Sequence, residues 1–285
     1  MIKLEFENKK FPEMLRKIKN PPKSLWVEGN VDLLNTISIA IIGSRKCSNY
    51  GEKWCKKFTK DLLEYNLTIV SGLAIGIDKT AHDTALKYGG KTIAVLPSGL
   101  KNIYPTENLN LYKNIINSGG AVVSEYMPEE RCDKKKFLER NRIVSGLGIG
   151  TLVVEAGYRS GTSVTAKITK QNGKKVFCIP GSLDNSKSLG TNTMVKNGAI
   201  LVTSVNDIIC NYKNLKKTRI VQNIKKYEVS KEFQDIYELI SEKPMEINLI
   251  AKLTDQNVSS VMAKITFLEI EGKIKRLGGN KIVAV

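Results

Sequence analysis

Residues 38–45 have the sequence SIAIIGSR, an apolar and largely β-branched run that stops at a glycine. Such a run predicts a strand buried on both faces, as in a parallel sheet. Apolar residues at helical spacing follow over about residues 50–65, and a second apolar run, residues 67–70, ends in Ser71-Gly72. This order predicts a βαβ unit whose two loops lie at the carboxyl ends of neighbouring strands. Ligands bind at that edge of open α/β sheets, because backbone N–H groups and helix N-termini point outward there.

The same alternation of strands and helices continues along the chain to about residue 203. Helical patterns cover about residues 79–88, 108–117 and 162–172, and strand patterns cover residues 92–96, 121–123, 151–155, 176–179 and 200–203. Six or more strands that alternate with helices predict an α/β fold with a doubly wound parallel sheet.

The sequence divides into four predicted parts. Residues 1–36 contain short helical and extended patterns around a Pro-Pro break and are expected to form an N-terminal extension packed on the core. Residues 37–212 carry the α/β pattern. Residues 213–229 are rich in Asn and Lys and lack apolar periodicity, so a linker is expected there. Residues 230–285 form the fourth part, a small C-terminal domain.

The C-terminal part has the pattern of a winged helix. Apolar spacing predicts helices near residues 233–240, 247–253 and 258–271, and Gly278-Gly279-Asn280 between two alternating segments predicts a hairpin. Winged helices often contact DNA through the third helix. Here that helix offers only Lys264, and residues 211–285 carry 14 basic and 9 acidic residues, a net charge of +5. Duplex DNA and a protein partner are therefore equally compatible with this unit.

The composition favours a polyanionic partner. The chain of 285 residues has 45 Lys+Arg against 28 Asp+Glu, a formal net charge of +17. Such an excess attracts nucleic acid, although a Lys-rich proteome with solvated lysines would give the same balance. The hydrophobic fraction of 41% supports a globular core.

Cysteine and histidine usage argues against a metal site and a disulfide framework. The five cysteines are scattered, with no CxxC pair, which is typical of reduced thiols in a cytoplasmic protein. His82 is the single histidine, so no His cluster can hold a metal, and a packing or capping role is favoured over ligand contact. We predict no cofactor, no signal peptide and no membrane partner.

Four predicted loops carry the candidate chemistry. Gly43-Ser44-Arg45 combines a close backbone approach with a planar cationic fork. The loop from Ser71-Gly72 to Asp78, which is expected to cap or anchor the next helix, fits neither the dinucleotide fingerprint nor the Walker motif. Ser160-Gly161-Thr162 opens a predicted helix and would present N–H groups to an anion.

The remaining loop is the most unusual segment of the chain. Residues 131–142 contain six basic and two acidic side chains around Phe137. The cations would neutralise phosphates while the ring stacks on an unpaired base. The alternative is a solvated helix start with Phe137 in the core. Glu155 could be catalytic, but we favour an ion pair that orients Arg140 or Arg142.

Together these segments resemble the DprA/Smf family of DNA-processing proteins. The resemblance covers about residues 11–210 plus the winged helix. Its motifs, in chain order, are Gly43-Ser44-Arg45, Ser71-Gly72-Leu73-Ala74 with Gly76, Asp78 and His82, Gly99 before Tyr104-Pro105, Ser124-Glu125-Tyr126, Phe137 with Arg140-Asn141-Arg142, Glu155-Ala156 with Ser160-Gly161-Thr162, Pro180-Gly181, Gly190-Thr191-Asn192 and Asn197-Gly198-Ala199.

The resemblance implies an extended Rossmann fold and a non-enzymatic function. It implies a protein that binds single-stranded DNA, forms a homodimer and loads a RecA-type recombinase on incoming DNA during natural transformation or recombination. Arg45 and the lysines before Phe137 would hold phosphates, Phe137 would stack a base, and the other loops would line the pocket. The predicted DNA-binding residues are Gly43, Ser44, Arg45, Ser71, Gly72, Lys134, Lys135, Lys136, Phe137, Arg140, Asn141, Arg142, Ser160, Gly161 and Thr162.

Two other functions are compatible with parts of the sequence. Related Rossmann proteins that cleave nucleoside monophosphates place a catalytic Glu after a glycine-rich loop. Here Glu155 precedes the corresponding loop, and residues 164–169 of the helix hold no carboxylate, which disfavours hydrolysis. A duplex-specific regulator acting through the winged helix is weakened by the modest charge of that unit.

Overall fold

A computed structural model describes residues 1–158, 160–218, 230–242, 244–271, 273–277 and 280–284. The chain forms two compact units, Met1–Ile224 and Lys225–Val285. Most of the predicted linker, residues 219–229, lies outside the described residues.

One sheet organises the described part of the first unit. Its strands are β1 (Ile2–Glu5), β2 (Ser24–Gly29), β3 (Ser38–Ile42), β4 (Thr68–Ser71), β5 (Thr92–Val95), β6 (Ala121–Ser124), β7 (Gly150–Val153), β8 (Lys175–Cys178) and β9 (Ile200–Leu201). Their order across the sheet is β1-β2-β6-β5-β4-β3-β7-β8-β9. The seven strands β3 to β9 pair with one another only in parallel, which confirms the predicted doubly wound sheet.

The N-terminal residues are more closely integrated than we expected. β1 pairs with β2, and β2 pairs with β6, both antiparallel, with Trp26 opposite Ser124. We predicted that residues 1–36 pack on the core. They also extend the sheet itself. The physical reason is that the free edge of β6 offers unpaired N–H and C=O groups, which an added strand satisfies.

Helices cover both faces of the sheet. They are α1 (Glu13–Arg16), α2 (Asn49–Leu63), α3 (Ile77–Lys87), α4 (Leu109–Asn117), α5 (Lys134–Leu147), α6 (Gly161–Gln171), α7 (Leu189–Lys196) and α8 (Asn206–Ile209), with 3-10 turns at Val31–Asn35 and Thr106–Asn108. Alternate residues of β3 point to opposite faces of the sheet, and each set packs in the apolar layer between the sheet and the helices on that face. Ile39 and Ile41 pack in the layer that includes α2, whereas Ala40 and Ile42 pack in the layer that includes α5.

The topology leaves a crevice between two neighbouring strands. From β3 the chain winds outward through β4, β5 and β6, and from β7 it winds in the opposite direction through β8 and β9. β3 and β7 are adjacent, so the loops that follow them diverge toward opposite faces. Such a switch point is where open α/β sheets bind ligands.

The second unit is a winged helix, as predicted. It contains α9 (Lys231–Glu242), β10 (Met245–Glu246), α10 (Ile247–Leu253), α11 (Val258–Ile270), β11 (Ile274–Leu277) and β12 (Lys281–Ala284). β11 and β12 are antiparallel, with Leu277 opposite Lys281, so the predicted hairpin is confirmed while Gly278 and Gly279 lie outside the described residues. Among the described helices of the chain, none combines the length and apolar character that crossing a membrane requires.

Candidate nucleic-acid interface

The predicted loops meet at the carboxyl-end edge of the sheet. The parallel strands β3, β4, β5 and β7 all end there. Thr162 Oγ1 donates to the Gly43 carbonyl at 3.3 Å, which joins the loop after β7 to the loop after β3. The Ile77 N–H donates to the Ser44 carbonyl at 3.2 Å, which joins the loop after β3 to α3. Hydrogen bonds thus hold segments that are far apart in sequence in one cluster.

Arg45 and Phe137 are in direct contact at this edge. The guanidinium carbon of Arg45 lies 4.9 Å from the centroid of the Phe137 ring, a cation–π geometry. Phe137 lies in the first turn of α5, which Asp133 caps by accepting the Lys136 N–H at 2.9 Å. Its side chain is half-buried, which matches neither a free surface ring nor a core residue.

A second ring completes this contact. Tyr104, in the segment between β5 and α4, meets Phe137 edge to face with the ring centroids 5.6 Å apart. The motif that carried the resemblance includes Tyr104, but no site role was predicted for it. Two neighbouring aromatic residues from distant segments are visible only once the loops are placed.

Arg140 was predicted to bind DNA, but its side chain does not reach the surface. Its side chain is 5% exposed, and its Nη1 donates to the carbonyls of Gly72, at 2.6 Å, and of Val95. Gly72 leaves room for this contact, because a Cβ there would overlap the guanidinium and displace it. Asp78 accepts the Gly72 N–H at 3.1 Å, so it anchors this loop as expected. The guanidinium ties α5 to two strand ends, so its position does not support the predicted contact of Arg140 with DNA.

Burial shifts the pKa values of Arg140 and Asp78, two buried groups on either side of the Gly72 backbone. Burial lowers the pKa of Arg140 to about 10, and the nearby charge of Asp78 opposes that shift, so the guanidinium stays charged at neutral pH. Burial likewise raises the pKa of Asp78, while Arg140 acts in the opposite direction. Ser71 is also fully buried, with its Oγ donating to the Ile41 carbonyl at 2.6 Å. Like Arg140, it supports the loop from beneath and does not line a pocket.

The predicted partnership of Glu155 is also wrong. Glu155 is 1% exposed and accepts from the Ser48 N–H at 2.9 Å and from the Ser48 hydroxyl. Ser48 in turn caps α2 by accepting the Gly51 N–H at 3.1 Å. Because β7 lies next to β3, the carboxylate after β7 meets the start of α2, not α5. A buried, doubly hydrogen-bonded Glu155 is poorly suited to the catalytic role of the hydrolase alternative.

Arg142, one of the two arginines expected to pair with Glu155, has another partner. Arg142 donates through Nη2 to both carboxylate oxygens of Glu125, at 2.6 Å to Oε1. Both side chains are mostly buried, with 18% and 23% exposure. Buried charges need such pairing, because leaving one unpaired costs several kcal/mol, on the order of 3 to 5.

The three lysines of α5 differ in their availability. Lys136 Nζ lies 2.9 Å from Glu130 Oε2 and 4.9 Å from the centroid of the Tyr126 ring. Lys135 is exposed and lies 3.5 Å from Glu139. Lys134 is exposed and has no carboxylate within 4.0 Å among the described residues. Glu130 was not predicted as part of the site, although its place near the cationic segment is a usable signal.

Among the predicted DNA-binding residues, fewer exposed and unpaired cations are therefore present than the net charge of the chain suggests. In the part of the chain that the structure describes, Arg45 and Lys134 are the exposed predicted cations without an acidic partner. The other cations are buried or paired with carboxylates. A phosphate would meet Arg45 and Lys134 first and would have to compete with glutamates for the rest.

Ser160, Gly161 and Thr162 lie where the sequence predicted them. α6 begins at Gly161, which is exposed, and Ser160 precedes it with an extended backbone. Through the bond between Thr162 and Gly43 this helix start adjoins the Arg45 loop. Asn141 is half-buried on α5, one residue beyond Arg140.

His82 has the packing role that we favoured. It is fully buried, and its Nδ1 lies 2.7 Å from Thr92 Oγ1. Burial, assisted by the charge of Arg140, lowers the pKa of His82 to about 3, so the ring is neutral. It has no access to a ligand at the sheet edge.

The fold and this edge together define a class: a doubly wound Rossmann-type protein that carries a separate winged helix. The family model described as DNA recombination-mediator protein A matches residues 3–213, and the model of the DprA winged helix domain matches residues 225–280. The chain belongs to the DprA/Smf family of DNA-processing proteins.

Individual relatives agree with this assignment. Protein Smf of Escherichia coli (strain K12) is 34% identical over 281 residues, which cover 95% of this chain and 74% of the relative. The DNA processing protein DprA of Streptococcus pneumoniae is 43% identical over 202 residues, 71% of each protein. Its X-ray structure superposes with a TM-score of 0.70 at 40% identity and covers 75% of this chain and 74% of the other.

A second solved structure is described as showing the single-stranded DNA binding mode of DNA processing protein A from Helicobacter pylori. It has a TM-score of 0.66 and 31% identity, and it covers 73% of this chain and 94% of the other.

Proposed function

We propose that this protein binds single-stranded DNA without strong sequence specificity, through the edge formed by the Arg45 loop, the start of α5 and the start of α6. The observation that carries the proposal is the contact between Arg45 and Phe137. It combines an exposed cation for phosphate with an aromatic ring for an unpaired base, and these are the two elements of non-specific single-strand binding.

The surrounding geometry supports this function. Arg45 and Lys134 are exposed cations, and Gly161 exposes the start of α6 beside the Gly43 loop. These groups bind phosphates in any sequence context. In duplex DNA the bases are stacked and paired, so Phe137 would gain nothing from them. The site is therefore expected to discriminate against duplex DNA.

We further propose that the protein acts as a homodimer that brings a RecA-type recombinase to single strands during transformation or recombination. Membership of the DprA/Smf family supports this step. Light scattering at micromolar concentration tests the dimer. Recombinase filament assembly on a single strand, followed with and without the protein, tests the loading. A monomer at all concentrations, or unchanged assembly, would reject these parts while leaving DNA binding intact.

The central test is a fluorescence-anisotropy titration of the full chain with one labelled oligonucleotide, single-stranded and annealed to its complement. We expect tighter binding of the single strand and a linear loss of log affinity with log salt concentration. Lys60→Ala is the matched control for Arg45→Ala, because Lys60 also lies over an aromatic ring, with its Nζ 5.1 Å from the centroid of Tyr88. That pair lies toward the opposite edge of the sheet, where α2 and α3 end. Equal affinity for the two forms would refute the proposal.

A further inference from the structure

Tyr104 is an exposed aromatic residue at the proposed DNA site. Its side chain is 44% exposed. It lies in the segment between β5 and α4, at the same edge of the sheet as Arg45. Since a tyrosine this exposed contributes little to a core, the exposed part of its ring is available to a ligand.

The backbone around Tyr104 is firmly anchored. On one side, Ile103 packs against the apolar cluster that includes Leu100 and Leu111. On the other side, the side chain of Asn108 is buried and donates to the Leu73 carbonyl at 2.8 Å. A ring carried on an anchored backbone loses less conformational entropy when a ligand binds than one on a free loop, which favours a recognition role over an incidental surface position.

The orientation of Tyr104 relative to Phe137 restricts what can bind. The two ring planes are inclined at 79° with centroids 5.6 Å apart. Two bases that are stacked on each other are parallel, so they cannot both lie face to face with rings that are nearly perpendicular. A strand that uses both rings must unstack the two bases concerned. Arg45 contacts the same Phe137 ring and would be close to the phosphate near such a step.

We propose that Tyr104 is a second base-stacking residue and that the pair Tyr104–Phe137 selects single strands whose neighbouring bases separate easily. This inference rests on the proposed single-strand binding and specifies its substrate class. Pyrimidine strands stack weakly and purine strands stack strongly, so unstacking is least costly for pyrimidines. The protein therefore prefers oligo-dT to oligo-dA, without reading any base edge.

The test compares labelled oligo-dT and oligo-dA of about 20 nucleotides, bound to the full chain at one salt concentration. The wild-type protein is expected to bind oligo-dT several-fold tighter. Tyr104→Ala should weaken oligo-dT binding by about tenfold, as loss of one stacked base does, and should reduce the preference. Tyr104→Phe, which keeps the ring, should behave like the wild type, and so should the control Lys60→Ala.

Tyr104→Leu separates a stacking role from a packing role, because leucine fills space without a π face. Weak oligo-dT binding by the Tyr104→Leu variant with an unchanged melting temperature supports the proposal. Wild-type affinity of that variant, or equal affinity of the wild type for oligo-dT and oligo-dA, overturns it. If Arg45→Ala and Phe137→Ala also leave single-strand binding unchanged, the proposed function fails as well, so the two failures are distinguishable.

Discussion

The guanidinium of Arg45 rests on the ring of Phe137, so the phosphate-binding group and the base-stacking group of the proposed site are one physical unit. The two side chains are already in contact in the free protein, before DNA arrives. A base that stacks on the ring must share it with the guanidinium or displace it. The two residues should therefore not contribute independently to DNA binding.

The first prediction follows from this coupling. Arg45→Ala should weaken single-strand binding equally for all sequences and reduce the slope of log affinity against log salt by about one unit. Combined with Phe137→Ala, it should give a double-mutant coupling of about 0.5 to 3 kcal/mol, measured by titration of the four proteins. Strict additivity would show that the contact does not matter for binding.

The second prediction concerns Phe137 alone. Phe137→Ala should cost about 1 to 3 kcal/mol of single-strand affinity, whereas Phe137→Tyr and Phe137→Trp should largely retain it because the π face survives. The matched stability control is Phe58→Ala, since Phe58 is fully buried and its loss should cost about 3 to 5 kcal/mol of folding free energy. A melting temperature of Phe137→Ala as low as that of Phe58→Ala would assign the ring to the core.

The third prediction is a gain of affinity. Glu130 holds Lys136 at 2.9 Å in the free protein, so its carboxylate competes with DNA phosphates. Glu130→Gln should bind single strands about two- to fivefold tighter and steepen the salt dependence by up to about one unit, because one more cation becomes available. Glu129→Gln is the matched control, since Glu129 pairs at 2.6 Å with Lys101, a lysine that lies outside the predicted DNA-binding set. Weaker binding by the Glu130→Gln variant would mean that the pair shapes the site.

The fourth prediction concerns acid stability. Thr92 Oγ1 donates to the Ile69 carbonyl, so it must accept from the His82 Nδ1–H, which fixes a neutral tautomer. The folded pKa of His82, about 3, lies below the ordinary value of 6.5, so the unfolded chain takes up the proton first as pH falls. His82 should therefore remove about 2 kcal/mol of stability between pH 6.5 and about pH 5.

Urea unfolding at several pH values measures this effect. The raised pKa of Asp78 acts in the opposite direction, because the folded protein then binds that proton more readily. His82→Asn keeps a donor near Thr92 and removes the titrating ring, so its stability should change less over the same interval. An identical pH dependence of both proteins would exclude His82 as the cause.

The fifth prediction tests the independence of the first unit. Truncation after Ile224, at the boundary between the two compact units, should leave a folded protein that still binds single strands, because the proposed site lies wholly in the first unit. A cooperative thermal transition and an anisotropy titration check this result. A truncated protein that folds but loses single-strand affinity would assign the winged helix a direct part in binding.

Local sequence pattern determined most of the secondary structure. Strands buried on both faces are continuous apolar runs, and surface helices repeat their apolar residues every three to four positions, so both can be recognised without knowing their neighbours. α5, whose first half was predicted as a loop, and the helices α7 and α8 were missed. The sequence of α7, LGTNTMVK, has no such repeat. The cationic segment and the loops after β3 and β7 were identifiable because residue type and strand order alone place them at one edge.

The tertiary structure decided which of these residues face a ligand. Arg140 and Arg142 have the same chemistry and stand two positions apart, but on a helix with 3.6 residues per turn they point in nearly opposite directions. One is buried against Gly72 and the other pairs with Glu125. The contact of Phe137 with Tyr104 likewise depends on how distant segments are brought together. Pairings across a fold are set by long-range packing, which leaves no local periodic signal in the sequence.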